Sequence, residues 1–365
     1  MLNNVTLNST NTESLTPAQQ TLRPSSDDTM HDHAIFFMTL NSVISVAAII
    51  MNTFTLMLFN FKKFLARTAV NQVLLSLAIC DFCSGLLVTL HIIGESHMFP
   101  KSGDACNSCI AFLILVDVLT TSLTISTMLH LTGVTIDRYI SLFYALKYRK
   151  IVTGSRVRRY IVFIWVLSFV ASFMQIMWLY KAMDGIDDAE VIALQQYEAW
   201  YSVGALFQFM VIPMLLLGWL LGRMMVEIRT LLWRTPTLVV SQQKVLKQQH
   251  QACVLFTIMY LSFALLSMPY FILRLIHDTN VWRSENTQLR IGPVVAQICY
   301  SVKMSTALTN PLLYTICNSE IRRVAGKMLS SIRVSLTRCL SSRKFNSRRL
   351  NSESSETKLF RHAVV

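Results

Sequence analysis

Charge is what this chain has least of. Only 15% of its 365 residues are charged, where a soluble chain of this size carries about a quarter. Glycine is scarce too, at 11 residues. None of them builds a Gly-rich phosphate loop or breaks an apolar run into the half-helices of a transporter. No internal repeat and no pair of inverted halves is present, which argues against transport. No nucleophile elbow or paired acids occur, and His91 and His97 stand at no metal spacing with other ligands. Enzymatic chemistry, a resident metal and an organic cofactor are therefore not expected. Met1–Asp32 lacks the apolar core of a cleaved signal peptide, so the first apolar run is expected to anchor the chain.

The eight cysteines do not form a disulfide framework. Cys80, Cys83, Cys253, Cys299 and Cys317 fall in apolar runs or at their ends, and Cys339 lies in a polar tail. Cys106 and Cys109 lie near one surface, where a local bridge and free thiols are both open.

What the chain has in quantity is apolar length. Runs occupy Ala34–Asn60, Ala69–Ile93, Cys109–Ile136, Tyr160–Tyr180, Trp200–Leu221, Ala252–Leu275 and Ile291–Ile316. Each reaches the roughly 20 residues that cross a ~30 Å hydrocarbon core. The fold expected is an all-α membrane protein, a seven-transmembrane helix bundle. Lys62, Lys63, Arg67, Lys147–Arg159 and Arg223–Lys247 cluster on one side, with the Arg-rich tail. The opposite side carries the acids Asp184, Asp187, Asp188 and Glu190. The positive-inside rule places the N-terminus outside and the tail in the cytosol. Most of the net +13 then faces anionic membrane lipid and cytosolic partners, and no nucleic acid is implied.

Four regions follow. Residues 1–33 form an extracellular tail with glycosylation sequons at Asn4 and Asn8. Residues 34–317 form the bundle. In 318–332, Ile321, Val324, Ala325, Met328 and Ile332 recur at helical spacing, which describes a short interfacial eighth helix. Residues 333–365 are Ser- and Arg-rich and expected to be disordered, with phosphorylation sites in Ser352–Thr357 and a palmitoylation candidate at Cys339.

Polar residues retained inside apolar runs carry the functional information. Asn52, Asp81, Asn310 and Tyr314 lie mid-span. Asp81 has two readings: a packing network of hydrogen bonds, or a hydrated pocket for a cation or proton. In Asn310-Pro311-Leu312-Leu313-Tyr314, Pro311 permits a bend and Tyr314 can swing between partners one turn later. Pro213, Pro269 and Pro311 interrupt the last three runs. On the third run Asp117, Thr120, Thr121, Thr124 and Met128 share one helical face. Asp117 and Arg138 stand roughly 32 Å apart along a straight helix, a carboxylate at one end and an arginine at the other. The threonines can satisfy themselves on the preceding turn. Asp117 suits a cationic ligand group, or pairs internally with Arg274, Tyr300 or Lys303.

In order, Asn52, Leu77-Ala78-Ile79-Cys80-Asp81, Asp137-Arg138-Tyr139, Trp165, Pro213, Pro269 and Asn310–Tyr314 resemble a rhodopsin-like G-protein-coupled receptor over about Ala34–Ile332. That resemblance implies an extracellular ligand, a heterotrimeric G protein, and arrestin and receptor kinases acting on the Ser-rich tail. It makes Asp137, Arg138, Tyr139, Asn310, Pro311, Tyr314 and Pro269 the activation switch. Asn52, Asp81, Thr127 and Asn310 become a polar network able to hold Na+. The ligand pocket falls around Asp117, Thr120, Thr121, Thr124, Ser267, Tyr270, Arg274, Tyr300 and Met304. Asp137–Tyr148 with Ile151-Val152-Thr153 is similar to melanocortin receptors. Val152–Arg156 and Trp165–Phe169 are similar to adenosine receptors, in one cluster with lysolipid and cannabinoid receptors.

The departures from that pattern narrow the function. Leu113 stands in place of the usual cysteine and Lys181–Glu198 holds none, so the usual bridge is absent. Ser267 replaces a switch tryptophan, Leu221 a tyrosine, and Gln249 the acid that locks the arginine, which suggests high basal activity. Thr120 at the amine-binding position disfavours amines, and Met304 at the retinal position excludes an opsin. His91 replaces a melanocortin-receptor acid, so a calcium site is not supported. A peptide ligand is favoured, with nucleoside, lipid or amine receptors, a constitutively active receptor without a dedicated agonist, and a transporter as alternatives.

Overall fold

A backbone in lipid finds no water to bond, so an apolar run must close its hydrogen bonds on itself as a helix. The computed structural model describes residues 26–61, 68–98, 107–179, 188–234, 240–279, 292–317, 322–331, 333–334 and 337–338. Among these there are helices and turns and no strand. The spans are α1 (Ser26–Phe61), α2 (Ala69–Met98), α3 (Asn107–Phe143) and α4 (Gly154–Phe173). There follow α5, in the pieces Asp188–Leu206 and Ile212–Arg234, α6 (Val240–Thr279), and α7, in the pieces Pro293–Met304 and Thr306–Cys317. A last helix, α8, covers residues 322–331. The sequons at Asn4 and Asn8, Cys106, Cys339 and the Ser-rich tail lie outside the described residues.

Successive helices pack on one another from α1 to α4 and from α5 to α7, the Tyr201 hydroxyl of α5 donates to the Ala171 carbonyl of α4 at 2.9 Å, and α7 returns to α1 and α2. α3 runs through the middle, touching α2, α4, α5 and α6. The core is built on that contact, with Leu74, Leu77, Met128, Met224 and Met259 fully buried. Leu215, Leu265 and Val43 face outward at 63–73% exposure, an arrangement stable only against lipid. Val324, Ala325 and Met328 of α8 join the core while Arg322, Arg323 and Lys327 stay exposed, giving the amphipathic helix its two faces.

Among the described residues, five helices are long and apolar enough to cross a membrane by length and composition alone. α4 falls short because Arg156, Arg158 and Arg159 crowd its first turns. Three apolar runs also differ from the single helices expected. The fourth was expected over Tyr160–Tyr180, but α4 stops at Phe173 and Ile176–Leu179 forms a separate turn. The Ser172 hydroxyl donates to the Ser168 carbonyl at 2.9 Å, competing with the helix ladder near its end. The fifth opens into a π turn at Phe207–Val211. Pro213 follows directly and has no N–H to donate one turn back, so the ladder there widens. The seventh breaks at Ser305, where the Ser305 and Thr306 hydroxyls take the carbonyls of Val302 and Lys303 at 2.6 and 2.8 Å.

Candidate transduction and ligand sites

At one end of α3, Asp137 is buried, which a carboxylate tolerates only with donors around it. Arg138 Nη2 lies 3.0 Å from Asp137 Oδ2, and the Tyr148 hydroxyl donates to Asp137 Oδ1 at 2.9 Å. Burial, reinforced by the Asp137 carboxylate, pushes the Tyr148 phenol up to about 12, so it remains a donor at neutral pH. Tyr148 opens a short helix, Tyr148–Ile151, whose last carbonyls are capped by Arg156 Nη1 at 2.7 and 2.8 Å. Thr153 then caps α4 through the Arg156 N–H. The connection from α3 to α4 is thus fastened at both ends. Tyr139 stacks on Phe143, with ring centroids 4.5 Å apart. Among the described residues, Arg138 has Asp137 as its ion-pair partner and no acid on α6.

Midway along the bundle, Asn310 Nδ2 donates to Asp81 Oδ2 at 2.9 Å, and the Thr127 hydroxyl lies within reach of the same carboxylate. Asn52 Nδ2 donates to the Ala48 and Ala307 carbonyls at 2.9 and 3.0 Å, fastening α1 to the break in α7. Its Oδ1 is buried and has no hydrogen-bond partner among the described residues. All four residues assigned to the polar network are buried. Pro311 is buried in α7 and Pro269 lies within α6. The Tyr314 backbone is helical, and its side chain lies outside the described residues.

A second chain of bonds went unnoticed in the sequence. Trp165 Nε1 donates to Ser76 Oγ at 3.0 Å, the Ser76 hydroxyl donates to His130 Nε2 at 2.8 Å, and His130 Nδ1 donates to the Ser126 carbonyl at 2.7 Å. A neutral imidazole with its proton on Nδ1 satisfies every member. Buried His130 thereby binds α2 and α4 to α3. No local pattern marks it, because the members of the chain on other helices, Ser76 and Trp165, lie 54 and 35 positions away.

At the Asp117 end, Arg274 Nη1 lies 3.2 Å from Asp117 Oδ2 and Arg274 Nη2 lies 3.3 Å from Glu198 Oε1. One guanidinium therefore holds α3, α5 and α6. The Asp117 side chain keeps 44% of its surface open. A cavity of about 710 Å³ is lined by Asp117, Tyr270, Tyr300 and His91 among others. A smaller one of about 50 Å³ is lined by Thr121, Thr124 and Arg274. Thr120 and Thr124 donate to the Val116 and Thr120 carbonyls at 2.8 and 2.9 Å, so the threonine stripe is spent largely on its own helix. Thr120, Ser267 and Met304 are buried and line neither cavity. Glu198 was missed in the sequence, since only the fold carries it to Arg274.

A seven-helix bundle with α3 in its middle carries a paired arginine at one end of that helix and a cavity beside its Asp117 end. The decision comes from comparison with known proteins: residues 34–314 match the 7 transmembrane receptor (rhodopsin family) model. The chain belongs to the rhodopsin family of seven-transmembrane receptors. As a member, it is a multi-pass signalling receptor and not an enzyme. The receptor is 23% identical over 307 residues to a QRFP-like peptide receptor of Branchiostoma floridae, covering 79% of this chain and 75% of that one. It is 38% identical over 119 residues to adenosine receptor A2b of Gallus gallus, a match spanning 33% of each chain.

Proposed function

We propose that this receptor lies in the plasma membrane with its Asp117 end outside, and passes an extracellular ligand signal to a heterotrimeric G protein at its Arg138 end. The observation that carries this reading is the Asp137–Arg138 pair, held by Tyr148 and tied to no acid of α6. An arginine secured only by its neighbour is free to change partners when α6 moves. The same arrangement, with Gln249 on α6, supports appreciable basal signalling. A ligand raises the signal by binding the active arrangement better than the resting one. The open Asp117 carboxylate and the 710 Å³ cavity favour a peptide, in keeping with the peptide-receptor relative. The adenosine-receptor relative keeps a nucleoside as the second reading.

Expression beside a promiscuous G protein should raise second-messenger output above that of untransfected cells, and further with peptide fractions. Solute uptake that persists without G protein, with no second-messenger change, would overturn the receptor reading in favour of transport.

Sodium belongs at Asp81. A buried carboxylate, the Thr127 hydroxyl and an unpaired Asn52 carbonyl oxygen are the hard oxygen donors that such a cation takes. Exchanging choline for sodium should raise Tm of the purified receptor and leave Asp81→Asn unmoved. Equal responses in the two proteins would return Asp81 to a packing role.

A further inference from the structure

Three charged side chains are buried in the described bundle: Asp81, Asp137 and Lys303. Asp81 has Asn310, and Asp137 has Arg138 and Tyr148. Lys303 is only 6% exposed, and among the described residues its ammonium makes no hydrogen bond and no contact ion pair, the Asp117 carboxylate acting on it only from a distance. Its Nζ lies 4.3 Å from the Tyr270 ring centroid and 5.5 Å from that of Phe271. Ring faces offset part of the desolvation of a cation. They do not neutralise it, and an intramembrane ionisable group without a counter-ion is expensive to keep.

The surroundings show what is missing. Tyr270 lines the large cavity and Phe271 the small one, so the ammonium lies against two cavity-lining rings, while Lys303 itself lines neither cavity. Along the wall above it, His91, Tyr300 and Tyr270 stand ring to ring, with successive centroids 6.0 Å apart. The row provides apolar faces for a ligand body and a cation at its end. The Asp117 and Glu198 carboxylates are already engaged by Arg274. Among the described residues, the buried positive charge without a contact ion pair is Lys303.

We propose that Lys303 is the anchor for an anionic group of the receptor's ligand, a carboxylate or a phosphate monoester carried on an apolar or aromatic body. The inference rests on the reading of the bundle as a ligand receptor and adds the ligand's charge. In the free receptor the ammonium rests on Tyr270. Binding replaces that contact by an ion pair sheltered from water, where a charged hydrogen bond is strong.

The test uses the full-length receptor in nanodiscs and reads Tm, which needs no G protein, so its failure leaves the coupling experiment independent. Four matched probes are added at millimolar concentration: 4-phenylbutyrate, 4-phenylbutyl phosphate, 4-phenylbutanol and 4-phenylbutylamine. One or both anions should raise Tm by about 2 °C or more, by mass action on the folded state. The alcohol and the amine should not. Whichever anion acts assigns the group. Lys303→Arg should retain the shift and Lys303→Met should lose it. Without a probe, Lys303→Met should melt no lower than the native chain, because an unpaired buried charge has been removed. Equal anion shifts in Lys303→Met, a lower probe-free Tm in that variant, or no anion shift in the native receptor would each overturn the assignment.

Discussion

Replacing Arg138 with alanine should abolish G-protein activation while the receptor still reaches the cell surface. The guanidinium is about a quarter exposed, is paired at 3.0 Å with the adjacent Asp137, and takes no part in the hydrophobic core. Its removal therefore leaves the fold largely intact. It does expose Asp137, but the Tyr148 hydroxyl continues to donate to that carboxylate. What is lost is the one cation able to leave α3 for a partner carbonyl or carboxylate. A hydrogen bond to a charged group contributes roughly 1.5–3 kcal/mol, and each 1.4 kcal/mol is about tenfold. Maximal signalling should thus fall at least about tenfold. Arg138→Lys keeps the charge but loses the planar fork, and should fall between the two. Second-messenger output normalised to surface antibody binding reads the result. Native-like output from Arg138→Ala would sink the coupling mechanism.

The largest structural effect is expected at Gly133. A Cβ built there would run into Tyr160 Cε1 and lie 2.9 Å from the Tyr160 hydroxyl oxygen. That ring edge cannot simply swing away, because its hydroxyl donates to the Leu129 carbonyl of α3 at 3.0 Å. Gly133→Val must separate α3 from α4 or break the bond. Overpacking costs about 1–3 kcal/mol, and the lost hydrogen bond about 1 kcal/mol more. Tm should drop by roughly 5–10 °C, with matching loss of surface receptor. Tyr160→Leu should relieve much of this when combined with Gly133→Val, since the obstructing ring is gone. A Gly133→Val receptor as stable as the native one would show that the helices have room to part.

How much of this was legible in the sequence depends on how local each feature is. The seven spans and the amphipathic residues 322–331 rest on runs and periods within one segment, and the bundle follows from them. The breaks were harder to read. Pro213 was visible, yet whether a proline kinks a helix or widens it into a π turn depends on its neighbours in space. Ser305 breaks α7 through hydroxyl competition that many helical serines never cause. Asp117 and Arg274 stood out as charges at similar depth, and their pairing was one of two readings. Glu198 and His130 were invisible because their partners lie tens of residues away and neither type of residue is unusual where it stands. Lys303 stood with Arg274 and Tyr300 as a possible partner of Asp117, and that its ammonium lies instead against the rings of Tyr270 and Phe271 is a property of the packed bundle.

The triad of Asp117, Arg274 and Glu198 also changes how the top of the bundle is latched. Leu113 and a cysteine-free Lys181–Glu198 leave no covalent strap there, and one guanidinium spans three helices instead. A disulfide is permanent on the timescale of signalling, whereas an ion pair at a half-open surface parts and reforms continually. The latch also weakens as ionic strength rises. Its hold on α6 is therefore set in part by the salt that bathes this end of the bundle.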